Sequence, residues 1–334
     1  MVEKISLAHG DGGELAHQLI QNVFITTFGH HDQAKLDAAI LHIPQEKLTI
    51  STDSFVIKPT FFRGGNIGKL AICGTVNDLA VSGATPLYIT VAFIIEEGFS
   101  IPQLQKIVSS MAEEAKKANV RIVSGDTKVV ERGSVDGIFI NTTGIGVINT
   151  EEMLPKTIDK QDVIIISGTI GDHGISILSA RGELGLVTEL NSDCASLNDL
   201  TSEVLNVSSR VKMMRDPTRG GVATTLVEIC EDFNVTIEIN EDALPVKEEV
   251  EGACDILGFD PLYLANEGKL LLIVAKEDEE KVLAVLKKFD IGREATTIGR
   301  VSEVETNGRL FLKMLLGSRR RLNRLAGMQL PRIC

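Results

Sequence analysis

Apolar residues recur along this chain at two spacings, and the change from one to the other predicts alternating strands and helices. Residues 47–57 (KLTISTDSFVI) alternate apolar and polar positions and are rich in β-branched side chains, which predicts a strand. Residues 101–118 place apolar side chains at helical spacing around Pro102 in the first turn, which predicts an amphipathic helix. The same reasoning predicts helices at 14–28 and 66–83 and strands at 86–95, 120–130 and 137–148.

A polar segment at 149–161 divides this pattern and contains a proline, so it predicts a linker. A chain of 334 residues exceeds one ordinary domain, so we expect an α/β (α+β) protein of two domains with a boundary near 150–160. The strands predicted for the second half are 162–168, 268–275, 295–303 and 310–316, and the helices lie near 171–181, 221–233 and 277–289.

Composition and charge exclude several classes of function. A net charge of −12 argues against general binding of nucleic acid, which depends on a basic surface. No apolar run approaches the roughly 18 residues that span a bilayer, and the first residues lack the apolar core of a signal peptide. The five cysteines form no CxxC pair, which favours the free thiols of a cytoplasmic protein over disulfides or a zinc site. Cys73 and Cys230 lie in apolar helical contexts and are expected in the core.

The last part of the sequence differs from the rest in charge. From Thr306 to Cys334 there are seven arginine or lysine residues and no aspartate or glutamate. Such a run is usually a solvated surface, but it can also steer a segment toward an acidic cleft or a bound phosphate. We therefore expect residues 317–334 to form a flexible basic tail that ends in the thiol of Cys334.

Short carboxylates at the ends of predicted elements are the main candidates for chemistry. Each one taken singly is typical of a cap or a turn, because Asp bonds its own backbone there. Together they suit Mg²⁺, which binds a few carboxylates along with the phosphates of a substrate. Neither a Walker A sequence nor a GxGxxG loop is present, so a nucleotide site would be built from such contacts. The candidate magnesium ligands are Asp37, Asp53, Asp78, Asp126 and Asp216.

Motifs spread over the whole chain give a specific resemblance. The chain resembles the HypE family of hydrogenase maturation proteins, which belongs to the aminoimidazole ribonucleotide synthetase-like superfamily of ATP-binding proteins. The closing PRIC is its most discriminating element, whereas residues around 187–206 are diagnostic of nothing. The motifs are, in order, TDSF (52–55), GTVNDLAVSGA (74–84), SGDTKVV (124–130), DPTRGG (216–221), ANEGK (265–269) and QLPRIC (329–334).

The resemblance implies a fold and an assembly. Residues 1–150 would form an ATP-binding and dimerisation domain, whose sheet joins that of a second subunit in a barrel with ATP along each side. Residues 160–316 would form a helix-covered sheet packed behind it, followed by the tail at 317–334. The implied partners are a second copy of the chain, a HypF-type carbamoyltransferase and the HypC–HypD complex that carries iron.

The implied reaction is that of a carbamoyl dehydratase. S-carbamoylated Cys334 would become a thiocyanate at the expense of ATP, with Mg²⁺, and so provide the cyanide ligand of nickel–iron hydrogenase. Lys128 would meet the developing negative charge, and Glu267 would accept the protons. The residues expected to contact ATP are Asp11, Gly12 and Gly13 of the HGDGG turn, together with Asn77, Thr127, Arg219, Gly220 and Gly221.

Two other interpretations remain open. Another enzyme of the superfamily, of the thiamine monophosphate kinase or selenophosphate synthetase type, would share the acidic turns but would have no use for a terminal cysteine. Selenophosphate synthetase would also need a reactive Cys near the N-terminus, and the first cysteine here is Cys73. A non-catalytic scaffold would carry iron on Cys334 and need no ATP, which the phosphate-suited turns argue against.

Overall fold

The computed structural model of the chain describes residues 4–6, 9, 18–29, 47–148, 155–182, 185–186, 188–305 and 307–324. Within these ranges no helix has both the length and the apolar character that crossing a membrane requires. A helical segment, π-helical over Ile20–Ile25 and α-helical over Thr26–Phe28, precedes the first strand. The elements from there to residue 148 are β1 (Lys47–Phe55), β2 (Phe61–Phe62), β3 (Gly65–Asn66), α1 (Ile67–Val81), β4 (Thr85–Glu96), α2 (Ile101–Lys117), β5 (Arg121–Val130) and β6 (Ile138–Ile148).

Helix α1 is enclosed on nearly all sides. Asn66 caps it by accepting hydrogen bonds from the backbone N–H groups of Gly68 and Lys69 at 2.9 and 3.1 Å. Thirteen of its fifteen residues are buried, so it packs around its circumference rather than along one stripe. Gly68 permits the close approach of α2, since a Cβ there would lie 2.5 Å from the carbonyl oxygen of Ile107. The polar side chains of α1 are therefore held by a rigid support.

The first sheet has four strands in the order β1-β6-β4-β5, so β1 and β5 are its edges. Helix α1 packs on one face, where the hydroxyl oxygens of Thr75 and Thr142 lie 2.6 Å apart. We call this the covered face. The opposite face, here called the open face, exposes the apolar side chains of Leu48, Ile50 and Ile94.

The second sheet has seven strands in the order β13-β12-β9-β11-β7-β10-β8. Its elements are β7 (Val163–Ile166), α3 (Asp172–Arg181), α4 (Asn198–Val207), β8 (Val211–Arg215), α5 (Gly221–Phe233), β9 (Val235–Asn240), α6 (Glu248–Leu257), β10 (Leu271–Val274), α7 (Glu279–Leu286), β11 (Thr296–Val304), β12 (Leu310–Lys313) and β13 (Arg319–Leu322). Strand residues alternate between the two faces. Ile164 and Ile166 of β7 pack with residues of α5, whereas Val163 and Ile165 pack with residues of α4 and α7.

The two halves of the chain share apolar cores. The cluster around α1 and α2 includes Ile177, Cys194 and Ala265 from the second half. Val81, at the end of α1, belongs in turn to the cluster that contains α4 and α7. The loops that leave the second sheet are thereby fixed against α1.

The predicted elements of both halves are confirmed where the structure describes them, with boundary shifts of a few residues. Cys73 and Cys230 are fully buried, as expected. The sequence analysis missed α4, β8, β9 and α6, all between residues 198 and 257. Helix α4 begins at Asn198 without a side-chain cap, and β8 is a short strand with two cations, so neither carries a strong local signal.

The basic segment differs from the expectation of a tail that begins at residue 317. Arg319–Leu322 forms β13, which pairs antiparallel with β12. In this strand Arg319 pairs with Glu238 at 2.8 Å and Arg320 pairs with Asp260 at 2.7 Å. Arg324, just after the strand, pairs with Glu231 at 2.7 Å. The arginines of β13 therefore bind this edge strand to acidic side chains of the second sheet and its loops. This corrects the expectation that all the basic residues from 317 onward belong to a free tail. Residues 325–334 lie outside the described residues.

Candidate active site

Asp53 and Asp78 form the core of a carboxylate cluster at the edge of the first sheet. Asp53 lies on β1 opposite Thr142, and hence on the covered face, while Asp78 comes from α1. The two side chains are within hydrogen-bond reach of each other. Ser51 Oγ donates to Asp78 Oδ2 at 2.5 Å, and Thr75 Oγ1 donates to Asp53 Oδ2 at 3.3 Å. Burial and the charge of Asp78 raise the pKa of Asp53 to about 6, against the opposing effects of Thr75 and Arg219.

Asp216 faces this pair from the second sheet, at the turn DPTRGG after β8. Burial, followed by the charges of Asp78 and Asp53, raises the pKa of Asp216 to about 7. The turn ends at Gly220 and Gly221, whose φ angles of +78° and +62° suit glycine. A Cβ at Gly221 would lie 2.5 Å from two carbonyl oxygens of residues 262–264, so the turn packs directly on that segment. Helix α5 begins here, and its N-terminus favours anions such as phosphate.

The ANEGK turn, residues 265–269, completes the cluster with Glu267. Asn266 is fully buried and joins three turns, accepting from the Gly171 N–H at 2.8 Å and donating to the carbonyl oxygens of Pro217 and Leu264. Glu267 is 4% exposed, and burial together with the charges of Asp216 and Asp193 raises its pKa well above the usual range. A carboxyl group with a raised pKa suits a proton acceptor near neutral pH.

The side chain of Asn77, which is expected to contact ATP, forms hydrogen bonds with backbone atoms of the second half of the chain. Its Nδ2 donates to the carbonyl oxygens of Ala195 and Glu267 at 3.0 and 3.3 Å, and its Oδ1 accepts the Leu197 N–H at 2.8 Å. Both N–H groups and the oxygen of the amide therefore bind backbone. These hydrogen bonds hold the ANEGK turn against α1, and the expected contact of Asn77 with ATP stays a prediction.

Asp126 and Lys128 do not join the cluster within one subunit. Asp126 pairs in register with Ala92, in the row of Asn141, which places it on the open face, whereas Asp53 lies on the covered face. The two aspartates are also on opposite edges of the sheet, three strand spacings or roughly 14 Å apart. Lys128 Nζ lies 3.5 Å from Asp126 Oδ2, and both side chains are about two-thirds exposed. One chain therefore cannot bring all the expected magnesium ligands together.

The other expected site residues divide into two groups. Arg219 is exposed beside the cluster and lowers the pKa of Asp53, and Thr127 lies on the covered face of edge strand β5. Among the described residues, no three His, Cys, Asp or Glu side chains converge closely enough to hold a metal ion. The expected residues outside the described ranges are Asp11, Gly12, Gly13, Asp37 and Cys334.

Sequence reasoning missed Asn266 and the segment 192–197, which packs against the ANEGK turn. The only local signal in that segment is Asp193 among small and polar residues, in a region that carries no family motif. Its function follows from contacts that join residues about 75 and 120 positions apart, such as Glu267 N to Asp193 Oδ1 and Leu197 N to Asn77 Oδ1.

Comparisons with known proteins agree with this architecture. The family model "AIR synthase related protein, N-terminal domain" matches residues 35–148, and the corresponding C-terminal domain model matches residues 160–310. Carbamoyl dehydratase HypE of Rhodobacter capsulatus is 46% identical over 99% of this chain and 98% of its own length. Carbamoyl dehydratase HypE of Escherichia coli K12 is 47% identical, with both chains covered completely.

Solved structures give the same result. A crystal structure of hydrogenase maturation protein HypE in complex with ATP is 44% identical, covers 98% of this chain and 99% of its own, and has a TM-score of 0.93. HypE in a HypE–HypF complex is 46% identical over 94% of this chain and 100% of its own, with a TM-score of 0.80. Thiamine monophosphate kinase of Aquifex aeolicus is 18% identical over 90% of this chain and 98% of its own, with a TM-score of 0.61, and shares the fold alone. From the motifs, the two-sheet fold and 46–47% identity along its whole length, this chain belongs to the HypE family of AIR synthase-related proteins.

Proposed function

We propose that this chain is an ATP-dependent carbamoyl dehydratase that converts S-carbamoylated Cys334 into a thiocyanate for hydrogenase maturation. The observation that carries the proposal is the convergence of Asp53, Asp78, Asp216 and Glu267, from four family motifs, in one partly buried cluster of carboxyl groups. The reaction requires a site for Mg²⁺, a site for phosphate and a proton acceptor. The carboxylates of the cluster, the DPTRGG turn and Glu267 would meet these three requirements.

The chemistry explains why both features are needed. An amide oxygen is a poor leaving group, so it first attacks the γ-phosphorus of ATP, and ADP departs. Loss of the resulting phosphate and of the amide N–H protons then forms the C≡N bond. The sum is thiocarbamate plus ATP giving thiocyanate, ADP, phosphate and a proton. Glu267 takes an N–H proton in the second step, where its raised pKa makes it an effective base.

Phosphate binding falls to the DPTRGG turn. Arg219 is exposed in this turn and its charge acts on Asp53, and α5 begins at Gly221 of the same turn. Positioning and charge neutralisation are the main demands of phosphoryl transfer, so these groups serve orientation more than covalent chemistry. Gly220 and Gly221 let the backbone approach the phosphates closely.

Magnesium fits the donor set, with fewer ligands from one chain than the sequence analysis expected. The charge of Asp78 raises the pKa of Asp53 and of Asp216, and the charge of Asp53 adds to the effect on Asp216, so a divalent cation would relieve this repulsion. Mg²⁺ typically takes one or two carboxylates together with substrate phosphates and water, which suits Asp53 and Asp78. When bound, it would neutralise charge on the transferred phosphoryl group. Asp37 and Asp216 are further candidate ligands.

A homodimer accounts for the open face and for Lys128. Exposed Leu48 and Ile50 make this face suited to burial against a second sheet, and the free edges β1 and β5 suit closure of a barrel. If β1 of one subunit lies beside β5 of the other, Lys128 of the partner subunit lies one strand spacing from the strand that carries Asp53, although it starts from the open face, and its exposed side chain would have to extend past the strand to reach the cluster. Lys128 would then act across the subunit boundary.

Two further partners follow from the reaction. A HypF-type carbamoyltransferase would load Cys334, in line with the solved HypE–HypF complex of a relative. The iron-carrying HypC–HypD complex would receive the cyanide. We place all of these steps in the cytoplasm.

Intact-mass analysis of Cys334 tests the proposed function. With a carbamoyl donor system and no ATP, the chain should gain one carbamoyl group, localised to the final peptide. Addition of Mg-ATP should then remove one water from the adduct. Cys334→Ser should give no nitrile, because a hydroxyl is far less nucleophilic than a thiol near neutral pH. An adduct on another residue, or loss of water without ATP, would refute the proposal, and tight iron binding without any adduct would favour a scaffold.

A further inference from the structure

Residues 192–197, which we call the strap, run beside the ANEGK turn without forming a helix or a strand. The strap is anchored at both ends: Ser192 N donates to the Arg63 carbonyl oxygen at 2.9 Å, and Leu197 N donates to Asn77 Oδ1 at 2.8 Å. Between these anchors, Ala195 N reaches the carbonyl oxygen of Glu267 at 3.4 Å. The strap is therefore fixed to α1 on one side and to the turn on the other.

Asp193 is the polar centre of the strap. Its side chain is 2% exposed, and its Oδ1 accepts the backbone N–H of Glu267 at 3.1 Å. Its Oδ2 lies 3.8 Å from Nζ of Lys269, whose side chain is 9% exposed. That oxygen makes no hydrogen bond within the described structure. One buried carboxylate thus contacts the residues on both sides of Gly268.

Gly268 shows how closely the strap and the turn are packed. A Cβ at this position would lie 1.9 Å from the carbonyl oxygen of Asp193 and 2.8 Å from the backbone nitrogen of Ala195. Such distances are far inside van der Waals contact, so only glycine fits. Displacement of Asp193 would be transmitted directly to the backbone that carries Glu267.

A stability role alone does not explain this choice of residue. Burying a carboxylate with a distant ammonium partner is costly, and an apolar pair of similar volume is often at least as stable. The arrangement does fix the orientation of the ANEGK turn. Oδ1 of Asp193 binds the backbone N–H of Glu267, while the charge on Oδ2 attracts the ammonium group of Lys269. Fixed orientation matters for a proton acceptor, because a displacement of about 1 Å can lower a catalysed rate by about 100-fold.

We propose that Asp193 is a positioning residue for Glu267, holding the ANEGK turn through the Glu267 N–H and through Lys269 so that the Glu267 carboxyl stays directed at the reacting group. This inference rests on the proposed function, in which Glu267 accepts the proton. It assigns a role to a segment that carries no family motif.

The test uses the full chain, carbamoylated at Cys334, and measures the rate of ATP-dependent nitrile formation and the KM for ATP. Asp193→Ala should lower the rate about 10- to 100-fold while the KM for ATP and the extent of carbamoylation stay unchanged. Asp193→Asn keeps an oxygen for the Glu267 N–H, so it should recover most of the lost rate. Asp199→Ala removes an exposed aspartate six residues away and should match the unaltered chain.

Hydrogen exchange of the 265–269 peptide gives a readout that does not depend on activity. The Glu267 amide should exchange faster in Asp193→Ala but not in Asp193→Asn. Lys269→Met removes the ammonium partner of Asp193 Oδ2 while leaving Asp193 and Gly268 in place, and should also slow nitrile formation if Asp193→Ala fails to fold.

Unchanged rate and exchange in Asp193→Ala would overturn the inference, as would an Asn variant as slow as the Ala variant. A KM for ATP that rises as much as the rate falls would also overturn it, since nucleotide binding would then be the cause. If the unaltered chain forms no nitrile, the proposed function fails, and the exchange data still decide whether Asp193 holds the turn.

Discussion

Asp78 lies close enough to Asp53 and Asp216 for its charge to raise the pKa of both. Burial contributes most to the raised pKa of Asp53 and Asp216, and the neighbouring carboxylates add to it. In the absence of a cation, protonation of Asp53 and Asp216 reduces the repulsion between the carboxylates. In metal-free protein the ionised carboxylates therefore repel one another, and bound Mg-ATP would remove this repulsion.

The pH dependence of stability tests this residue-level account in metal-free protein. The folded pKa of Asp216 is about 7 against an ordinary 3.8, so its ionisation destabilises the fold as pH rises from about 4 through about 7. The asparagine in Asp216→Asn cannot ionise. The free energy of unfolding of this variant, minus that of the unaltered chain, should therefore increase between pH 5 and pH 8. Urea unfolding with a chelator present measures the difference. Parallel pH profiles would show that Asp216 does not titrate in this way.

Glu267→Gln tests the proposed proton acceptor. The variant keeps the size and the hydrogen-bonding capacity of the side chain but is no longer a base, so nitrile formation should fall by at least about 100-fold. Carbamoylation of Cys334 should proceed normally, because Glu267 acts only in the second step. Glu294→Gln, at an exposed position, is the matched control and should keep the full rate. Equal rates in the two variants would exclude Glu267 as the base.

At the scale of elements, β13 shows that a basic run is not necessarily a tail. Leu322 is 4% exposed and packs in the apolar cluster of the second sheet, while Tyr263 Oη donates to the carbonyl oxygen of Asn323 at 2.9 Å. The segment that leads to Cys334 therefore departs from a fixed point near the ANEGK turn. The ten residues that follow Arg324 can span at most roughly 35 Å, which defines the reach of the Cys334 thiol.

Leu322→Ala tests whether β13 is part of the folded sheet. Removal of a buried leucine side chain should lower the free energy of unfolding by about 2–5 kcal/mol. Leu316→Ala removes the same atoms from a position that is 97% exposed, and should change stability by less than about 0.5 kcal/mol. Equal and small effects in urea unfolding would mean that residues 319–322 belong to the tail.

Periodicity and motif sequences were sufficient to predict the elements that carry Asp53, Asp78 and Asp216, because each lies in or beside a segment with a strong local pattern. They could not predict that Asp126 faces away from Asp53, since this depends on the strand order β1-β6-β4-β5 and on pairing register. Nor could they identify Asp193, whose contacts with Glu267 and Lys269 bridge 74 and 76 sequence positions. Such long-range contacts leave no local signal.

At the scale of the whole molecule, the two halves of the chain act as one body at the cleft. Apolar clusters cross between them, and Asn77 of α1 holds both the strap and the ANEGK turn of the second half. The edge that carries Asp126 and Lys128 lies on the far side of the first sheet. The proposed role of Lys128 in the site would therefore depend on a second subunit.

Mixing two inactive variants tests whether the active site is shared. Lys128→Ala and Glu267→Gln should each form almost no nitrile alone. After equal amounts are unfolded and refolded together, about half of the dimers contain one subunit of each kind, and one of their two sites is intact. About a quarter of the unaltered rate should return. No recovery would mean that both residues act within one chain, and full activity of Lys128→Ala alone would remove Lys128 from the mechanism.

The central claim is that ATP activates the carbamoyl oxygen on Cys334, and an isotope label follows that oxygen directly. The chain is carbamoylated with a donor that carries oxygen-18 in its carbonyl group, and Mg-ATP is then added in unlabelled water. Because the γ-phosphoryl group is transferred to this oxygen before it departs, the account predicts one labelled oxygen in the released inorganic phosphate for each nitrile formed. Label in water, with unlabelled phosphate, would contradict it.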